Sequence, residues 1–449
     1  MARDLLTPVL DESLRTIHYF NGRVLYAEDL RREQETSRRR HELLGALHGE
    51  GVAYGLEVSL LPGEPLPRTV TIRPGLALNR KGQLLHLSQQ IDLAIAPEVA
   101  PATVEGALFR DCRAGTALPD GLGPYLLTVS PAAEYAERIP YVGIGDGGMS
   151  SSCGRRFVVE GVQFRLVYLD PDDGPAVPES IRAPLHELML LATLTPPQRA
   201  RLRNLLAHWC LGTDSVPPAF ARSLYDLLAR GHTEPIRYGP LDALYDAEDD
   251  APNRLTGCDV PLALLYWTNS GIQFVDMWAV RRRLHRRADA AHPPVPAVDR
   301  RTAECEAAFL QFQHHLADLM QPGQLRDVMA SHRVRDLFHF LPPAGVVPVQ
   351  SGAARGVTAE FFFDAFAHRP PEFVDGAQLR WLMEAAARYP PLAVGTGELL
   401  WLYQVRLNRQ ARDEGSDAEP YLVFASGHLP YQAAPRFDLA RWDYSTYAT

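Results

Sequence analysis

At 449 residues, 46% of them hydrophobic and 22% charged, the chain is long enough for about two to four domains with a sizeable core. A formal charge of −9 and a pI near 5.9 argue against a general nucleic-acid binder, which needs a net or strongly clustered basic surface. No apolar run approaches the roughly 18 residues that a membrane-spanning helix requires.

Five cysteines, Cys112, Cys153, Cys210, Cys258 and Cys305, are scattered, odd in number and never spaced CxxC. They predict free thiols in a reducing compartment, not a disulfide framework or a zinc ribbon. The opening MARDLLTPVLDES lacks the apolar centre of a signal peptide. The expectation is assembly in the cytoplasm, with release as part of an extracellular particle left open. Lys81 is the only lysine, so nearly all cationic charge is arginine.

In chain order, the first element is a long polar helix. From Leu30 to Leu43 there is no Gly or Pro; Glu28, Asp29, Glu33 and Glu35 come early, and Arg38, Arg39, Arg40 and His41 late. That order complements the helix dipole. Leu30, Ser37, His41 and Leu44 make only a thin stripe, so the helix has little private core and needs a neighbour. A β meander follows: Val52, Tyr54, Leu56 and Val58 alternate, as do Val70, Ile72 and, past a bend, Leu76 and Leu78. Pro74-Gly75 suits the bend, and Asn79 to Gly82 suits a hairpin turn into Leu84, Leu85 and Leu87.

Residues 97–123 form a loop-rich bridge. Tyr125, Leu127 and Val129 alternate as a strand, and Phe157 to Tyr168 form a second β pair. Between them lies a glycine- and serine-rich stretch, Gly143–Gly154, predicted as a surface loop. Residues 184–196 are ambiguous between helix and strand. Thr195 caps a helix running to Trp209, with Leu202, Leu205, Leu206 and Trp209 as its buried face. Pro217–Leu228 reads as a second helix, antiparallel to it. Asp242–Arg254 is acidic and reads as a surface loop or linker. Val260–Thr268 and Ile272–Val275 form a hairpin around Asn269, and Ala303–Leu319 is helical, with Phe309, Phe312, Leu316 and Leu319 together. Leu341–Val349 breaks it. Helices near Phe361–Phe366 and Ala377–Arg388 and strands at Leu399–Leu407 and Tyr421–Ser426 complete the chain.

The fold class is therefore α+β and multi-domain. The segments are an N-terminal helix and β-meander docking module (1–97), a β-rich unit (98–180) and a helical middle (181–255). A β-hairpin followed by helices (256–345) and a mixed C-terminal region (346–449) complete the division.

The stretch YFNGR (Tyr19–Arg23), continuing through EDL, the glycines of GVAYGLEV and the bend in VTIRPGLAL, resembles the N-terminal module of a poorly characterised bacterial family. Its members are encoded alongside phage-tail-like contractile injection particles. The resemblance extends through Tyr125–Asp170 and more loosely through Cys258–Arg283. It implies a particle-associated structural role, in a baseplate or tail fibre. It supplies no catalytic residue, cofactor or metal. The partners it implies are other subunits of such a particle, in a homo-oligomer or symmetric hetero-assembly, with no nucleic acid.

Chemistry-bearing stretches are few. Gly143–Gly154, with Cys153, has the glycines to cradle a phosphate or present a nucleophile, yet lacks the lysine and following helix of a phosphate loop. A hydrolase or ligand-binding site there is the alternative function. Asp170, Asp172 and Asp173 lack the spacing of a calcium loop, and His314-His315 cannot share one helix face. Arg281, Arg282 and Arg283 head a basic run read first as a solvated helical segment and second as a contact for acidic neighbours. Trp442, Tyr444 and Tyr447 form an aromatic tail suited to an interface. A glycan- or receptor-binding fibre module is the second alternative. The candidate interface residues are thus Leu30, Arg38, Arg39, Arg40, the three arginines of the basic run and the three aromatics of the tail.

Overall fold

The computed structural model describes residues 14–62, 66–95, 109, 112, 122–145, 148–172, 177–191, 193–213, 239–245, 254–285, 298–319, 331–348, 359–363, 372–386, 391–394, 400–405 and 421–426. The predicted helix Pro217–Leu228 and the aromatic tail lie outside these residues.

Helix α1 spans Ala27–His48, 22 residues and about 33 Å. At its start the Tyr26 amide donates to the Asp29 carboxylate at 3.1 Å, and Asp29 also holds Arg23 at 2.8 Å. It ends at Gly49, whose φ of 97° carries the chain out of the helix. Only Thr36 and Gly45 on it are buried. At Gly45 the helix backbone touches the next hairpin: a Cβ there would lie 2.1 Å from the Gly82 carbonyl oxygen.

That hairpin belongs to the meander, which is more sharply folded than its alternation suggests. Strands β1 (Gly51–Gly55) and β2 (Val58–Leu61) form one bent strand, β3 (Thr69–Ile72) and β4 (Gly75–Leu78) a second, and β5 (Leu84–Leu87) and β6 (Ile91–Ala94) a third. Each contributes to two antiparallel sheets, β1-β4-β5 and β2-β3-β6. The corner falls at Leu56, with a positive φ of 56°, and opposite it at Pro74-Gly75. The turn between β4 and β5 is held by Asn79, whose side-chain oxygen accepts from the amides of Lys81 and Gln83 at 3.0 and 2.9 Å. A bulge between Val52 and Tyr54 breaks the expected alternation, leaving Tyr54 exposed while Val52, Leu56 and Val58 are buried.

The meander packs on a four-stranded antiparallel sheet in the order β10-β9-β7-β8. Its strands are β7 (Gly123–Gly145), β8 (Gly148–Tyr168), β9 (Val260–Thr268) and β10 (Gly271–Asp276). Alternation divides the sheet: Leu127, Val129, Ala263, Leu265 and Ile272 meet the meander, and Leu126, Val167, Leu264 and Phe274 face the helices behind. Most of the predicted Gly143–Gly154 loop is strand instead, in residues 143–145 and 148–154. It is β structure paired as far as Gly145 opposite Gly148, so β7 and β8 form a ribbon reaching well past Val129, where β9 ends.

Helices α2 (Glu179–Met189), α3 (Pro196–Cys210) and α4 (Gly239–Tyr245) form the layer behind. Thr195 and Gln198 make the expected cap, the Thr195 amide donating to the Gln198 side chain at 2.9 Å. The one-faced reading of α3 is corrected: Leu202 through Cys210 are all buried, because α3 is covered on its other side by the C-terminal region. Helix α4 occupies the start of the predicted Asp242–Arg254 linker, with Asp242 buried.

Beyond α3 lie α5 (Val298–Leu319) and α6 (Val334–Leu337), the pair β11 (Phe340–Leu341) and β14 (Leu392–Ala393), and the sheet β12-β16-β15-β13. That sheet comprises β12 (Ala344–Pro348), β13 (Glu372–Val374), β15 (Leu400–Val405) and β16 (Tyr421–Ser426), with α7 (Ala359–Phe363) and α8 (Gly376–Ala386) alongside. Phe312, Leu316, Phe338, Phe363 and Phe424 make its core. Phe309 is only half-buried.

The cysteine reading is also corrected. Cys112 and Cys258 form a disulfide across 146 residues of sequence, their Cα atoms 5.5 Å apart, whereas Cys153, Cys210 and Cys305 are in no disulfide. The fold brings residue 112 to the start of β9, which no spacing rule reveals.

Candidate docking surface

Among the described residues, two stretches each leave several apolar side chains in solvent, beside scattered ones such as Leu84 and Leu190. The first is α1 with the arm preceding it. Helix positions Leu30, Leu44 and Leu47 are 52%, 57% and 64% exposed, and Phe20, Val24 and Tyr26 on the arm 60% or more. The arm is tied along the helix: the Thr36 hydroxyl donates to the Arg15 carbonyl at 2.6 Å, and the Ile17 amide donates to Glu33 at 3.3 Å. Scattered exposed apolar residues are ordinary, but a run of nine or so on one helix and its leader marks an interaction surface.

The charges of α1 are spent lightly. Arg38 pairs with Glu160 at the base of the ribbon at 3.0 Å, Arg39 pairs with Glu42 one turn on at 3.3 Å, and Arg40 is exposed. Such surface pairs contribute about 1 kcal/mol or less and exchange readily for others. Leu30, Arg38, Arg39 and Arg40 all lie on α1, the three consecutive arginines spread around it rather than on one face.

The second part is the distal ribbon. Residues 137–140 and 155–160 are exposed, among them Ile139, Phe157, Val158 and Val159. Isolated two-stranded ribbons are marginal in water, and here Ile139, Val158 and Val159 stay about half-exposed.

Arg281 and Arg282 lie elsewhere. Residues 277–285 are not helical, and both arginines are buried. Arg281 donates to the carbonyls of Gly55 and Leu56, the latter at 2.8 Å, and so pins the corner of the meander. Arg282 pairs with Glu304 on α5 at 2.7 Å and donates to the carbonyls of Trp278, Ala279 and Arg281. Arg283, half-exposed, pairs with Glu306 at 2.8 Å. The solvated-helix reading of this run is therefore corrected: these groups brace the chain internally. The sequence shows the charge but not the carbonyls that receive it.

Arg80 does the same work on the other side. It lies between Glu50 at 2.6 Å and Asp242 at 3.1 Å, with its guanidinium 3.4 Å from the centre of the Tyr245 ring. Burial opposes its charge, but Glu50, Tyr245 and Asp242 outweigh that and raise its pKa. Burial pushes the Tyr245 hydroxyl up as well, and that hydroxyl donates to the Asp259 carbonyl at 2.8 Å. A cavity of about 50 Å³ sits here, and its carboxylates already hold arginines: Glu50 and Asp242 hold Arg80, Asp259 holds Arg165, and Glu304 holds Arg282. It is a brace between the meander, α4 and α5.

A larger, open groove of about 440 Å³ follows the ribbon base past Ala133, Tyr135 and Val162. Its lining lacks the convergent polar groups of a ligand site. Residues 143–145 and 148–154 are paired strand and not the loop before a helix that a phosphate cradle uses. The Asp170 turn closes on itself, the Asp172 amide donating to the Asp170 side chain at 2.8 Å. No group of three side chains suited to a metal converges among the described residues. Nor is any helix among them long and apolar enough to cross a membrane.

Sequence reasoning missed the cluster around α3. Arg203 holds Asp276 at 2.7 Å and Asp318 at 2.6 Å, and the Gln311 amide donates to Asp276 at 2.9 Å. Next to them His208 and His315 are fully buried. Burial and then His339 lower the pKa of His208 to about 3; burial and then Arg203, His314 and His208 hold His315 well below its usual value.

No protein-family model matches the chain, and no curated protein matches it. Among solved structures, that of TssK covers 92% of this chain and 97% of its own, at 9% identity and a TM-score of 0.22. A likeness that slight carries no argument about fold or function.

Proposed function

We propose that this chain is a non-enzymatic structural or adaptor component of a phage-tail-like contractile injection particle, baseplate- or fibre-associated, acting through protein–protein contacts. Residues 1–97 are its docking module. The observation that carries this reading is the exposure of α1: a rod of about 33 Å, seated at Gly45, with Leu30, Leu44, Leu47 and the arm aromatics uncovered. The buried arginines hold the meander rigidly to the body, so a partner gripping α1 grips the whole molecule. Rigid presentation lowers the ordering cost of binding, and several weak contacts in a symmetric particle add up to firm attachment. The arginines 38–40 provide the polar rim of the contact.

The test is co-sedimentation with tail-like particles. Wild-type protein is expected to sediment with them. Leu30→Arg with Leu44→Arg, which leaves the core untouched, is expected to remain in the supernatant. A double variant that sediments like the wild type would remove α1 from the reading.

A further inference from the structure

The exposed edge of β8 is built to pair with itself. β8 is the edge strand of its sheet, hydrogen-bonded to β7 along one side only among the described residues. It is 21 residues long and has no proline. Edge strands of that length are ordinarily blunted by proline, bulges or charge, because their open amides and carbonyls template further pairing. The other edge of the ribbon is blunted in just this way. Past Val129, where β9 stops, β7 carries Pro131 and Pro140 and a positive φ of 53° at Glu137. The two edges are thus unequal: among the described residues that of β8 carries charges but neither proline nor a positive φ.

The sequence on the open edge is self-complementary. Across a two-fold axis perpendicular to the sheet, antiparallel copies keep the same face, so a residue faces one of its own parity. With the axis at Val158, Phe157 faces Val159 of the other copy and Arg156 faces Glu160. Each pair occurs twice. Phe157, Val158 and Val159 are 47%, 43% and 54% exposed and would be covered at the centre. Arg156 at present pairs with Glu137 at 3.1 Å, and Glu160 with Arg38 at 3.0 Å; these partners are solvent-exposed or half-exposed and exchange cheaply.

We infer that the ribbon is a dimerisation arm, in which β8 of one copy adds edge to edge onto β8 of a second copy about Val158, giving a continuous sheet. The partner is this same chain, because the order Arg-Phe-Val-Val-Glu of residues 156–160 complements itself in reverse. Cross-strand apolar and opposite-charge pairs add to the backbone ladder. This goes beyond attachment to a particle, since it holds in the purified full-length protein alone.

The experiment is sedimentation equilibrium of the full chain up to about 100 μM, a range that detects a Kd as weak as roughly 100 μM. Wild type is expected to form a reversible dimer. Val158→Lys places two like charges on the axis and is expected to raise the Kd about tenfold or more. Arg156→Glu alone is expected to weaken the dimer, and Arg156→Glu combined with Glu160→Arg to restore it. In a Cys153→Ser background, Val158→Cys is expected to give a disulfide-linked dimer under mild oxidation, and Glu137→Cys to give none. A monomeric wild type, an unaffected Val158→Lys variant or a charge swap without rescue would overturn the inference. Val158→Lys is expected to co-sediment with particles while failing to dimerise, so failure here is distinct from failure of the attachment reading.

Discussion

Acid should weaken this protein through two particular side chains. His208 and His315 are fully buried beside α3 and α5, and one ring nitrogen of each, Nε2 of His208 and Nδ1 of His315, has no hydrogen-bond partner. The groups facing them are Arg203, His314 and His339, with Asp276 and Asp318 held by Arg203. Both imidazoles are neutral in the fold, His208 down to a pH of about 3. In the unfolded chain each takes up a proton near pH 6.5. The unfolded state therefore binds more protons below that pH, and stability falls as pH falls from about 6.5 towards the depressed folded value. At pH 5 His208 accounts for a loss of about 2 kcal/mol relative to pH 7.5, and His315 adds to it in the same direction. Urea unfolding followed by tryptophan fluorescence at the two pH values gives the wild-type loss. His208→Gln with His315→Gln lowers stability at both but removes more than about 2 kcal/mol from the pH-dependent part. If wild type and double variant lose the same amount between pH 7.5 and 5, the buried neutral histidines are not the cause and the reasoning fails.

Other consequences follow from close contacts. Gly45→Ala places a methyl 2.1 Å from the Gly82 carbonyl; it should cost about 1–3 kcal/mol and speed amide exchange along α1, whereas Ser37→Ala on the same helix should change neither. Cys258→Ser opens a loop of 146 residues and should lower stability by up to about 5 kcal/mol under oxidising conditions by the chain-entropy argument. Peptide mapping without reductant should recover Cys112 linked to Cys258 in the wild type. Arg80→Met leaves Glu50 and Asp242 without the cation between them; a loss of about 3–5 kcal/mol is expected in urea unfolding, and full recovery in the Asp242→Leu double variant would be inconsistent with both carboxylates needing the cation.

Local signals were legible and long-range ones were not. The Thr195 cap, the turn at Asn79–Gly82, the bend at Pro74-Gly75 and the hairpin around Asn269 each rest on residues within a few positions of one another, and the structure has all four. The multi-domain α+β class followed from them. The Gly143–Gly154 stretch misled because glycine and serine disfavour strands in isolation, whereas pairing along the whole of β7 and β8 overrides that preference. Arg281 and Arg282 read as solvated because their acceptors are backbone carbonyls and Glu304, distant in sequence and invisible to charge counting. Helix α3 looked one-faced because Arg203, Asn204 and His208 are polar, yet Asp276, the Phe340 carbonyl and Thr213 receive them inside the core. Of the docking surface, the thin stripe of α1 was visible from the start. The unequal edges of the ribbon were not, since they depend on where β9 stops.

The most direct measurement is hydrogen exchange of the full chain, free and mixed with tail-like particles. If α1 is the grip, amides of residues 14–48 exchange faster in the free protein and are slowed on mixing, while those of the C-terminal sheet, β12-β16-β15-β13, stay as they were. Protection confined to other segments, with α1 exchanging alike in both samples, would contradict the account.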